Sequence, residues 1–71
     1  LSLVTKNLER IITEKGLRKE YVARKSGLSS QMISDLLAER KVFRADFVPP
    51  LCATLGVEPN ELFKELPPET N

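Results

Sequence analysis

Leu17-Arg18-Lys19-Glu20-Tyr21-Val22-Ala23-Arg24-Lys25-Ser26-Gly27-Leu28-Ser29-Ser30-Gln31-Met32-Ile33-Ser34-Asp35-Leu36-Leu37 is the stretch that decides the fold of this chain. Tyr21, Val22 and Ala23 sit in a short helical segment closed by Gly27. Ser29 is a good N-cap for the next segment, because its hydroxyl can accept from an unpaired amide of the first turn. In that segment Ile33, Leu36 and Leu37 share one face. Ala23 is small where two helices must cross closely, Leu28 can plug the corner between them, and Ile33 and Leu36 anchor the second helix.

A tight turn, close helix packing, and a second helix with one buried and one free face are what a helix-turn-helix requires. Outward from it, Leu3, Leu8, Ile11 and Ile12 carry helical spacing up to Lys15, and Gly16 is the natural stop. On the other side, Lys41 to Ala45 reads as a loop, and a fourth helix is expected from about Phe47 to Leu55, ending at Gly56. Pro49 and Pro50 are tolerable there only within the first turn, where the missing amides have no intrahelical partner. A short fifth helix has Pro59 at its first position and contributes Leu62 and Phe63. No alternating apolar pattern of useful length exists, so no strands are expected. The expected fold is all-α, a compact bundle of about five short helices, with residues 1–66 as the domain and 67–71, containing Pro67 and Pro68, as a flexible C-terminal tail.

Composition narrows the function. With 71 residues the chain is one small domain, in which a deep pocket and a stable core would compete for the same apolar residues. Histidine is absent and Cys52 is the single cysteine, which argues against metal sites and most general-base sites. No glycine-rich phosphate loop and no nucleophile–base pair is visible, so no catalytic residues, metal or cofactor are assigned and no enzyme is expected. Cys52, among Leu51, Ala53 and Leu55, is expected to be buried and inert. A lone cysteine cannot staple the fold, no apolar run approaches a membrane span, and the N-terminal apolar stretches are too short and charged for a signal peptide; a cytoplasmic location is expected. Net charge is only +1, but its distribution is uneven: residues 17–44 hold seven basic and three acidic side chains, a balance of +4, while 45–71 hold −4. The middle suits an anionic polymer, although an ordinary solvated surface also accounts for the charge.

The sequence resembles the Cro/C1-type (phage lambda repressor-like, also called XRE) helix-turn-helix family, from about Leu8 to Phe63. The matching pieces are the Lys15-Gly16-Leu17 turn, Val22-Ala23, Gly27-Leu28-Ser29, Ile33-Ser34 and Leu55-Gly56-Val57 with Asn60-Glu61-Leu62-Phe63. Phe47-Val48-Pro49-Pro50-Leu51 is similar to the fourth helix of small phage repressors. There are departures. Arg18 and Lys19 stand where family members often carry a polar cap and a glutamine. Ile12 and Leu37 stand where many have an Arg–Glu pair, and an apolar contact there avoids desolvating charges. Glu39 or Arg40 occupies the place of a glycine that often follows the third helix.

With Ile33 at the centre of the buried face, an advance of 100° per residue puts Gln31 and Asp35 opposite, with Ser34 on the flank. Ser30 joins them, because the first turn of a recognition helix enters the major groove. Ser30, Gln31, Ser34 and Asp35 are therefore the candidate base contacts. The Gln31 amide can donate to and accept from adenine; Asp35 could accept from cytosine N4, or simply tolerate its position. The resemblance implies backbone docking at the start of the second helix and in the loop after the third, making Arg18, Lys19, Ser29, Arg40, Lys41 and Arg44 the phosphate candidates. It further implies a sequence-specific transcriptional regulator, a repressor, that binds double-stranded DNA as a homodimer and is bacterial or phage-encoded. The alternative is a protein-interaction module such as the antitoxin of a toxin–antitoxin pair.

Overall fold

The computed structural model describes residues 2–65. The expected boundary at 66 and the tail at 67–71 lie outside the described residues. Five α-helices follow one another: α1 (Leu3–Glu14), α2 (Lys19–Ser26), α3 (Ser30–Leu37), α4 (Val48–Leu55) and α5 (Asn60–Phe63), with no strand among the described residues. The all-α bundle expected from the sequence is the observed one.

The elements start and stop for local reasons. The Ser2 hydroxyl accepts from the Thr5 amide at 3.1 Å and caps α1. The Ser29 hydroxyl does the same for α3, accepting from the Met32 amide at 3.0 Å. Gly27 ends α2 at φ +80°, where a side chain would be strained, and its N–H donates to the Ala23 carbonyl. Pro49 and Pro50 fall in the first turn of α4, as the missing-amide argument requires. Pro59 is a small correction: it stands just before α5 rather than as its first residue. The amides of Glu61 and Leu62 donate to the carbonyls of Glu58 and Pro59, so i→i+3 bonds lead into this single turn. The loop is also shorter than expected, because Ala45–Phe47 already coil into one 3-10 turn that leads into α4. Phe43 and Phe47 meet edge to face across this loop, with ring centroids 6.1 Å apart.

Every helix contributes to one core. Leu8, Ile11 and Ile12 come from α1, Val22 and Ala23 from α2, Ile33 and Leu36 from α3, Leu51, Cys52 and Leu55 from α4, and Leu62 from α5. Packing runs α1 on α3 and α5, and α2 on α3 and α4. Leu28 is half-buried against this core at the corner, and Met32 lies at its edge. Ile12 is buried and Leu37 packs against the same core, and both line the cleft beside α3. One polar side chain is built into the seam between the first and last helices. Asn7 is fully buried, and its amide donates to the carbonyls of Leu62 at 2.9 Å and Lys64 at 2.8 Å. The result is a packed frame that holds α3 with Ile33 and Leu36 inward and Ser30 and Gln31 exposed.

Candidate nucleic-acid interface

Ile33 and Leu36 are sealed into the core, which fixes the rotation of α3. Ser30 and Gln31 are exposed on its outer side, while Ser34 and Asp35 are half-buried. Asp35 is therefore less open than the helical wheel suggests. Its side chain is 14% exposed, because two donors converge on one oxygen. Gln31 Nε2 donates to Asp35 Oδ1 at 3.0 Å, and Arg40 Nε donates to the same oxygen at 2.8 Å. The Arg40 hydrogen bond first, and the Gln31 bond second, hold the Asp35 carboxyl below the usual carboxylate range.

Arg40 reaches Asp35 because of how α3 ends. The Glu39 amide donates to the Leu36 carbonyl at 3.2 Å and the Arg40 amide to the Asp35 carbonyl at 2.8 Å. This is the paired-bond ending that requires a left-handed residue at the reversal. Glu39 supplies it at φ +60°, so Glu39 is the residue in the place of the glycine. Its carboxylate accepts from the Ser2 backbone N–H at 2.6 Å, which ties the reversal to the start of α1 and holds the Glu39 carboxyl low as well.

The basic candidates stand around this edge. Lys19, on the first turn of α2, lines one cleft with Ser34 and Arg40. Lys41 lines a second cleft with Ser2 and Val42, between α1 and the loop. Arg18, Lys19, Lys41 and Arg44 are exposed. Arg44 approaches Asp46 at 3.6 Å, but both side chains are so open that the pair holds Arg44 only weakly. The Ser29 oxygen accepts the capping bond, and its hydroxyl hydrogen remains a donor. Away from this surface, Tyr21 is half-buried with the Arg24 guanidinium 5.9 Å from its ring centroid, in a packing role. Cys52 is buried, and that burial, more than the nearby Glu58, pushes its thiol up, which makes it a poor nucleophile.

Two features had no clear sequence signal. The Asp35–Arg40 pair spans five residues across a helix end, a separation that helical periodicity does not bring together. Val42 is 83% exposed in the middle of the basic loop, where nothing in the pattern distinguished it from the half-buried Phe43 beside it.

The model of the Cro/C1-type HTH DNA-binding domain family matches residues 7–67, most of the chain. The chain belongs to that family. No match to a curated protein was found. Membership makes DNA the partner of this Cro/C1-type domain and places it in a non-catalytic, transcription-related fold. Among its described residues no group of three or more His, Cys, Asp or Glu could hold a metal ion. No described helix is long and apolar enough to cross a membrane. In this Cro/C1-type domain the α2–turn–α3 unit carries the polar α3 edge, with exposed basic residues around it.

Proposed function

We propose that this domain is a sequence-specific transcriptional regulator, a repressor, that inserts α3 into the major groove of operator DNA as a homodimer. One observation carries the reading: the core fixes α3 so that Ser30 and Gln31 face outward, while Lys19 and Arg40 share a cleft with Ser34 on the same helix. Ser30, Gln31, Ser34 and Asp35 form the edge that meets the bases. Arg18, Lys19, Ser29, Arg40, Lys41 and Arg44 grip phosphates on either strand. One such unit covers a single half-site, and pairing of two copies supplies the remaining affinity. Phe63, 51% exposed on α5, and the half-buried Val57 are the apolar contribution to that pairing. Residues 1–66 are the DNA-binding unit and 67–71 lie outside it. The protein acts in the cytoplasm of a bacterium, encoded by it or by a phage, and joins the nucleoid when bound.

The test is selection of bound sequences from random duplexes, followed by anisotropy across salt. The expected result is an inverted repeat with half-site centres about one helical turn apart. Log K falls with log salt, with a slope of about −0.9 for each phosphate neutralised. A lone half-site bound one-to-one contradicts the dimer. Absence of binding at low salt overturns the DNA reading and leaves a protein-interaction module such as an antitoxin in its place.

A further inference from the structure

The amide of Gln31 does not choose its own orientation. Asp35, held below the usual carboxylate range, offers only acceptors at neutral pH. The side facing it must therefore be Nε2, as the 3.0 Å contact has it, and Oε1 turns away. Arg40 holds the carboxylate in turn, through Nε to Oδ1 at 2.8 Å, and its own amide is bonded to the Asp35 carbonyl at 2.8 Å. Gln31 thus rests on a support fixed from the helix and from the chain reversal beyond it.

The consequence is chemical. An unrestrained glutamine carries two donors and an acceptor and can turn either combination outward. With one hydrogen committed to Asp35, one donor and one acceptor remain. In the major groove adenine presents a donor at N6 and an acceptor at N7, whereas guanine presents acceptors at both O6 and N7. We propose that Asp35 and Arg40 are positioning residues that set base preference: by holding one hydrogen of the Gln31 amide, they restrict its groove-facing edge to one donor and one acceptor and so select adenine over guanine. This rests on α3 being the recognition helix. It gives Asp35 a supporting role beside its place on the base-facing edge, since one oxygen of its largely covered carboxylate takes both bonds.

The experiment uses the full chain and its selected site. The base pair read by Gln31 is located as the one at which Gln31→Ala loses preference. Affinities are then measured for adenine and guanine at that pair with the wild type, Asp35→Ala, Asp35→Asn, Arg40→Ala and the Gln31→Ala/Asp35→Ala double variant, each checked for folding by a thermal melt. Asp35→Ala should lower the adenine-to-guanine ratio about three- to tenfold. Arg40→Ala should lower the ratio at the same pair by a smaller factor. Asp35→Asn, which keeps an oxygen for the amide, should retain most of it, and the double variant should match Gln31→Ala at that pair. A purely structural role lowers affinity for both bases alike and leaves the ratio unchanged, which overturns the inference. So does a loss of preference at a different base pair, or additive losses in the double variant. Failure of the wild type to bind any duplex overturns the recognition-helix reading and this inference together; a clear wild-type motif with an unchanged ratio in Asp35→Ala and Arg40→Ala overturns this inference alone.

Discussion

Asn7→Ala probes the joint between the first helix and the last. The Asn7 side chain has no exposed surface, and both amide hydrogens are committed: to the buried Leu62 carbonyl at 2.9 Å and to the Lys64 carbonyl at 2.8 Å. Its oxygen accepts from Arg10 at 3.2 Å. Truncation strands the Leu62 carbonyl, and an unsatisfied buried polar group costs about 1–3 kcal/mol. The Lys64 carbonyl is better placed to find water, so its loss is smaller, and the vacated volume adds to both. Together these give a destabilisation of about 2–4 kcal/mol. A domain of this length is stabilised by roughly 4–10 kcal/mol, so the change removes a large share of it. At about 4–8 °C per kcal/mol for a domain this small, Tm should fall by roughly 8–32 °C. The assay is a thermal melt by far-ultraviolet circular dichroism, paired with urea unfolding. Asn7→Asp is the sharper control, since it keeps the shape but sets an acceptor against two carbonyl oxygens; it should be at least as damaging at neutral pH. A Tm for Asn7→Ala within about 3 °C of wild type would refute the reasoning, because α5 would then be held by its other contacts with α1 without the Asn7 bonds.

Asn7 also marks a limit of what the sequence made legible. The apolar spacing of Leu8, Ile11 and Ile12, and of Ile33 and Leu36, identifies the buried faces, because side chains three and four apart lie on one side of a helix. Ser29, Gly27 and the Pro49-Pro50 pair act through backbone chemistry that is local to a few residues, so they too could be read in advance. Asn7 could not, because its partners lie 55 and 57 residues away and a polar residue inside an apolar face carries no sign of what satisfies it. Leu62 and Phe63 looked equivalent, yet one is fully buried and the other half-exposed; a four-residue helix is too short for periodicity to separate them. At the interface, the placement of Gln31 followed from Ile33, but the covering of Asp35 did not. It depends on Glu39 adopting a left-handed conformation, and a glutamate gives no such signal where a glycine would.

The two low carboxyls predict the acid behaviour. Asp35 is lowered chiefly by Arg40 and Glu39 chiefly by the Ser2 amide, so each contributes stability above its unfolded value of about 4 and loses it as pH falls through the lower folded value. Tm should be nearly flat between about pH 5 and 7 and fall below about pH 4, and the Asp35→Asn/Glu39→Gln double variant should show a shallower acid limb; identical limbs would count against both contacts. At the helix reversal, Glu39→Ala keeps the positive φ but loses the Ser2 contact, whereas Glu39→Gly loses the contact and relieves the backbone, so the glycine variant should melt higher than the alanine one. An alanine variant as stable as the glycine one would mean that φ +60° carries no strain here. The last prediction separates reading, gripping and folding on one surface. Gln31→Ala, on the exposed side of α3, should relax one base pair by about 1–3 kcal/mol and move stability by less than about 0.5 kcal/mol. Lys41→Ala, exposed in the loop, should weaken all sequences by a similar factor and flatten the salt slope by about one phosphate. Ile33→Ala, at a site with no exposed surface, should open a cavity costing about 2–5 kcal/mol and lose binding only through unfolding. Site selection and a melt on each variant decide the matter: if Lys41→Ala changes the selected motif while Gln31→Ala leaves it intact, the wrong face of this unit has been assigned to the groove.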